Sequence, residues 1–170
     1  VLSDAPTLYY EDTTENIVKN FADPRVGGAT GRYDPLGGDK GLEGSEKLLW
    51  KFKDLIRNLE GRVDSTSFLS GELCAFRRGL VDKVDEDSLA DDVNIAMKIR
   101  EKGYRVICDP CAAFMEKLPT SHEDLLSKKV RGAIGGIRET LRFKKMILNP
   151  DFGLFGMLIL PTRLLYTLLN

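Results

Sequence analysis

Asp91-Asp92-Val93-Asn94-Ile95-Ala96-Met97-Lys98-Ile99-Arg100-Glu101-Lys102-Gly103-Tyr104-Arg105-Val106-Ile107-Cys108-Asp109-Pro110 is the stretch on which the fold turns. Val93, Ala96, Met97 and Ile99 recur at helical spacing after a start that Ser88 or Asp91 can cap, and Gly103 supplies a left-handed stop. Tyr104 to Cys108 then reads as a strand that Asp109-Pro110 ends. Helix, glycine and strand in that order define an α/β class of protein.

Working towards the N-terminus, Phe68 to Arg78 reads as a turn entering a short buried strand. Leu48, Leu49, Phe52, Leu55, Ile56 and Leu59 mark an amphipathic helix from Ser45, with Lys, Asp and Arg on its other face. The stretch 25–44 begins as a strand-like run, but Gly27, Gly28 and Gly31 interrupt it and turn residues follow, which predicts a loop. Asp12-Thr13-Thr14-Glu15 caps a short helix to about Ala22. Towards the C-terminus, the capping box Ser121-His122-Glu123-Asp124 opens a helical stretch to about Asn149. Phe152 to Leu169 is almost wholly apolar apart from Pro161 and Arg163, and fits an interfacial helix, the start of a membrane segment or a docking helix. The expected division is therefore 1–150 as a globular part and 151–170 as an apolar, membrane-proximal part.

Composition bounds the class. A chain of 170 residues, 42% hydrophobic and 30% charged, makes one ordinary domain with a real core, and excludes long disorder and a many-span membrane protein. A net charge of −1 gives no overall field for nucleic acid, so any anionic partner must meet a local cluster. Such a cluster lies between Leu125 and Leu148, where seven basic residues (Lys128, Lys129, Arg131, Arg138, Arg142, Lys144, Lys145) face the single acid Glu139. Either a solvated helix face or an anionic bilayer surface explains it, and the apolar tail beyond favours the bilayer. Three cysteines cannot all pair internally, and Cys108-x-x-Cys111 has no second pair for a structural zinc site.

Two carboxylate sites could carry chemistry. Asp4 follows an apolar strand end, where α/β sheets present ligand-binding groups. Asp91 and Asp92 stand at a helix start, where they either cap the helix or, ionised there, serve as a general base.

In their order and spacing these segments resemble the family 2 glycosyltransferases, inverting enzymes with the GT-A fold that include the synthases of cellulose, chitin and hyaluronan. Ser3-Asp4-Ala5 resembles the D-x-D region, with Pro6 at its second carboxylate position. Phe68, Gly71, Phe76, Arg77 and Arg78 resemble the acceptor-side F-x-x-G-x-x-x-x-F-R-R segment, and Asp91-Asp92 the E-D pair. Gly103-Tyr104-Arg105-Val106 and Glu116-Lys117-Leu118-Pro119 continue the likeness, and Lys128-Lys129-Val130-Arg131-Gly132 stands where the family has Q-x-x-R-W.

The resemblance implies a nucleotide-diphospho-sugar transferase-like α/β fold, with the chain as the C-terminal half of the catalytic domain and the nucleotide-binding half upstream. It implies transfer of a sugar from a nucleotide-sugar to an acceptor hydroxyl of a glycan or lipid-linked glycan. Asp92 would be the base and Asp91 its support. Arg131 and Lys128 would hold the donor diphosphate, Gly71, Glu72 and Arg77 the acceptor side, and Asp4 an Mg2+ or Mn2+ ion. The implied location is the cytoplasmic face of the cell membrane, with the fragment alone inactive. The alternative is a non-catalytic binding or scaffolding remnant on a membrane surface.

Overall fold

The computed structural model describes residues 1–37, 40–118 and 121–169. At its centre two long strands run parallel, β2 (Val26–Leu36) and β4 (Arg105–Lys117). β1 (Leu8–Tyr9) pairs antiparallel with β4 at one edge, and β3 (Cys74–Phe76) antiparallel with β2, giving the order β1-β4-β2-β3. Leu2 bridges Cys74, which brings the first residues of the chain to the outer side of β3. The helices are α1 (Thr13–Lys19), α2 (Lys40–Val63), α3 (Asp91–Glu101), α4 (His122–Arg142) and α5 (Leu160–Leu169).

The strand β2 corrects the loop expected over 25–44. Its glycines are not breakers but sites of close approach. A Cβ on Gly27 would lie 2.6 Å from Tyr104 Cβ and 2.7 Å from Ile99 Cγ2, and one on Gly31 would lie 2.0 Å from the Ala112 carbonyl oxygen. Glycine in a strand interior is the expected residue where another backbone passes this near. Gly31 stands opposite Asp109 and Arg32 opposite Ala113, so Pro110, Cys111 and Ala112 form an irregularity that bends β4. The strand therefore runs on past Asp109-Pro110, where an end was expected. Cys108 is buried and Cys111 exposed on this bulge, and both are free thiols.

Other elements follow the sequence with local changes. The N-cap of α3 is Ala90 rather than Ser88 or Asp91, while Gly103, at φ +83°, ends the helix as expected. Ser121 Oγ accepts the Asp124 N–H at 3.0 Å and so caps α4 as expected, while its hydroxyl donates to Asp124 Oδ2 at 2.7 Å. The α4 helix stops at Arg142, short of Asn149, and short helical turns at Lys144–Met146 and Pro150–Phe152 lead to a π-turn, Phe155–Ile159, that runs into α5. Among the described residues no helix is long and apolar enough to cross a membrane.

Three clusters make the core. Ile17, Ala29, Tyr33, Leu73, Ala75, Ala112 and Phe114 pack α1 and Trp50 against the sheet. Leu69, Cys74, Val81, Ile95, Ala96, Ile99 and Val106 join α3 to the sheet. Met97, on α3, meets Phe143, Met146, Phe155, Ile159 and Leu160. Helix α3 is thus held between the sheet and the C-terminal segment, and the first half of the apolar tail is core. On α2 the polarity is inverted relative to a surface helix. Leu48, Phe52, Leu55 and Leu59 are at least half exposed, while Arg57 is fully buried.

Candidate active site

The start of α3 is fixed by a polar network. Asn94 Nδ2 donates to Asp85 Oδ2 at 2.9 Å and to the buried Glu139 Oε2 of α4 at 2.8 Å. Lys98 and Arg142 close the network on Asp85 and Asp87. Among the described residues Asn94 Oδ1 and Glu139 Oε1 have no hydrogen-bond partner, but the bonds from Asn94 Nδ2 tie the start of α3 to both Asp85 and α4, so the helix N-terminus bearing Asp91 and Asp92 is held from two sides.

Asp92 is the perturbed group. Burial raises its carboxyl to about 6, and the nearby Glu72 and Asp91 carboxylates push the same way against the N–H of Val93, which donates to Oδ1 at 2.8 Å. A carboxylate partly withdrawn from water at a helix start, with a pKa near working pH, has the properties of a general base. Asp91, by contrast, is exposed.

Glu72 ties Asp92 to the rest of the cluster. Ser70 Oγ donates to its Oε2 at 2.6 Å, and Tyr9 OH donates to its backbone carbonyl at 3.2 Å. Lys128, from the first turns of α4, places Nζ 3.0 and 3.2 Å from the Glu116 carboxylate oxygens and 3.9 Å from Glu72 Oε1. Burial and then the neighbouring Glu72 raise the Glu116 carboxyl, with Lys128 opposing. The Asp4 carboxylate rests against Gly71, where a Cβ would lie 3.6 Å from Asp4 Oδ2. The bridge from Leu2 to Cys74 sets that position, and the Cys74 thiol is raised first by burial and then by Asp92 and Asp4. Asp4, Gly71, Glu72, Asp92 and Lys128 therefore come together from four separated segments.

Two expected site residues stand elsewhere. Arg77, beyond the far end of β3, donates Nε to the Val26 carbonyl at 2.8 Å and Nη2 to the Phe21 and Asp23 carbonyls at 2.8 and 3.1 Å, with its guanidinium over the Phe21 ring. It ties β3 to the turn before β2. Arg131 is exposed on α4, where it lines an open depression of about 350 Å³ with Asp124, Ser127 and Lys128. Glu116 belongs to the cluster and was legible only as part of a family-like segment. No linear signal pairs a strand residue with a lysine twelve positions later.

Among the described residues no three His, Cys, Asp or Glu side chains form a metal cluster. Asp4 is a single exposed carboxylate, which suits an ion that takes its other ligands from water and substrate phosphates rather than from a protein cage.

The mixed α/β sheet thus carries Asp4 just after the Leu2–Cys74 bridge and Asp92 at the start of α3, and the structure it matches is that of a GT-A glycosyltransferase. The chain belongs to the glycosyl transferase family group 2, whose family model matches residues 1–169. It is similar to the poly-beta-1,6-N-acetyl-D-glucosamine synthase of Staphylococcus aureus, 24% identical over an alignment of 151 positions that covers 82% of this chain and 35% of that protein. It is also similar to the mannosyltransferase PcManGT from Pyrobaculum calidifontis, solved in complex with GDP-Man and Mn2+. That likeness has a TM-score of 0.77 and 26% identity, and covers 98% of this chain and 44% of that one. The chain thus spans about a third of the length of the curated relatives it matches.

Proposed function

We propose that the chain carries the acceptor-side and base-bearing part of an inverting glycosyltransferase that moves a sugar from a nucleotide-diphospho-sugar to an acceptor hydroxyl. The observation that carries this reading is Asp92, raised to about 6 at the start of α3 and facing Glu72. Asp92 takes the acceptor proton, and Asp91, by its negative charge, helps hold Asp92 at that pKa. Gly71 and Glu72 bound the acceptor side. Arg77 supports that side from a distance by fixing β3.

Lys128 and Arg131 are the cations offered to the donor diphosphate. Lys128 is shared with Glu72 and Glu116, so its charge is already placed at the cluster. When Mg2+ or Mn2+ is bound, it offsets charge on the departing diphosphate, and Asp4 is the residue that would hold it. The PcManGT structure with GDP-Man and Mn2+ supports a donor and an ion of these classes. An inverting reaction has a stereochemical signature. Proton NMR of the first product formed by the transfer-competent enzyme should show the anomeric configuration opposite to that of the donor. Retained configuration would overturn the single-displacement reading.

The proposed place of action is the cytoplasmic face of the cell membrane. Supporting it, Leu126, Val130 and Ile134 are exposed at four-residue intervals along basic α4, and Leu158 and Leu165 are exposed on the C-terminal segment. Part of the basic run is neutralised within the fold, since Lys128, Lys129, Arg138, Arg142 and Lys145 all have carboxylate partners. Each basic residue near an anionic surface contributes about 1 kcal/mol at most, so apolar insertion must share the work. The chain should float with anionic vesicles, and Leu158→Glu with Leu165→Glu should abolish most of that flotation. Flotation unchanged by both substitutions would remove the C-terminal segment from membrane contact.

A further inference from the structure

Glu116 has no role in the reading above, yet it holds a residue that has one. Lys128 Nζ donates to Glu116 Oε1 at 3.2 Å and to Oε2 at 3.0 Å, and lies 3.9 Å from Glu72 Oε1. The Glu116 and Glu72 side chains are 13% and 17% exposed and that of Lys128 45%, so one half-exposed cation serves two largely buried anions. Among the described residues neither carboxylate has a second cation within ion-pair distance, and the buried Arg57 acts on Glu72 only from further away.

The two sides of that contact differ in freedom. Glu116 stands opposite Pro35 near the end of β4, and Tyr33 OH donates to its carbonyl at 3.4 Å, so the sheet fixes its backbone. Lys128 carries its charge on a flexible aliphatic stem near the start of α4. It also lines, with Asp124, Ser127 and Arg131, the open depression of about 350 Å³. Among the described residues Arg131 has no carboxylate partner. Arg131 is therefore a standing positive charge at the depression, whereas the charge of Lys128 is divided between it and the carboxylate pair.

We propose that Glu116 is an exchange partner of the donor diphosphate: it holds Lys128 in the empty site, yields it when the donor binds, and takes it back as the nucleoside diphosphate leaves. The exchange rests on the reading of Lys128 as a diphosphate ligand. A diphosphate carries more negative charge than one carboxylate, so the bound donor draws the ammonium away. Glu72 and Glu116 are then left as like charges, and Glu72 already pushes on Glu116 with the lysine in place. Their repulsion in a partly desolvated site favours return of the lysine and opposes retention of the product. Tight binding shared equally by donor and product does not raise kcat, and product release limits many enzymes. Glu116 is thus a positioning residue that acts on the nucleotide through Lys128.

The test is calorimetry on the full-length protein, with GDP and UDP as probes, each with Mn2+. Glu116→Gln keeps the shape of the side chain and removes its charge. It should tighten binding of whichever nucleotide the parent binds by about three- to tenfold, a gain that loss of a merely structural contact would not give. Lys128→Gln should weaken that binding, and adding Glu116→Gln to it should recover little, because the carboxylate acts through the lysine. If Lys128→Gln has no effect, or the parent binds neither nucleotide, the diphosphate reading falls and the exchange with it. If Lys128→Gln weakens binding while Glu116→Gln leaves it unchanged or weaker, the exchange alone is overturned. Full tightening in the double variant also overturns it, since Glu116 would then act directly on the nucleotide. In the parent, the nucleotide should move the Glu116 carboxyl 13C resonance as the lysine departs, and an unmoved resonance refutes the exchange without any substitution.

Discussion

Asp92→Asn should lower the transfer rate of the competent enzyme by about 10²–10⁴, the usual range for loss of a general base. Donor affinity should be unchanged, because the substitution alters neither Lys128 nor Asp4. In the parent enzyme kcat/KM should fall tenfold per pH unit below about 6, as Asp92 protonates. Asp91→Asn removes one of the carboxylates that raise Asp92, so it should move that acidic limb to lower pH while costing far less activity.

Stability gives a second readout with the opposite sign. The folded state binds the Asp92 proton more tightly than the unfolded chain does, so between the ordinary carboxyl value of 3.8 and about 6 stability falls as pH rises. Above about 6 the full cost of the buried charge is present, and Asp92→Asn should then be more stable than the parent by ~1–3 kcal/mol. If Asp92 only capped the helix, Asn would still accept the Val93 N–H, so the variant would be close to neutral in stability at every pH and its activity would track the folded fraction.

Gly31→Ala should be the most damaging single-methyl change in the sheet. The added Cβ would lie 2.0 Å from the Ala112 carbonyl oxygen and 2.7 Å from Leu73 Cδ2. The first contact is backbone, which cannot move aside by a change of rotamer, so β2 and β4 must separate at their bulge. The expected loss is about 4 kcal/mol or more, a large part of the 5–15 kcal/mol that holds a typical domain together. The control is Gly136→Ala on α4, where a Cβ meets nothing within 4 Å and alanine should add about 0.5–1 kcal/mol. Urea unfolding of both variants tests the pair. A Gly31→Ala midpoint equal to the parent's would show that the strands do not pass this closely.

What the sequence by itself determined was periodic or local. Helices α1, α2, α3 and α4, the Gly103 stop, the Ser121 cap and the strand β3 could all be read, because each rests on spacing or on a residue's own backbone preference. The order of the Asp4, Phe68–Arg78, Asp91-Asp92 and Lys128–Gly132 segments was enough to indicate the family. Asp4, Gly71, Glu72, Asp92 and Lys128 could also be named from that order alone, without knowing that they meet.

Only the tertiary structure decided the rest. Glycines that break a strand in isolation are required in β2 because Tyr104 and Ala112 come too close for a side chain. Pro110 fails to end β4 because the bulge against Gly31 accommodates it. The pKa of Asp92 depends on burial and on Glu72, twenty positions away in sequence, and the carbonyls that Arg77 meets in the turn before β2 are likewise set by the fold. The same holds for α2, whose apolar stripe predicts a buried face while the fold buries Arg57 instead. Periodicity gives the faces of a helix, but which face meets the protein is set by what the sheet, Phe68 and α5 place against it.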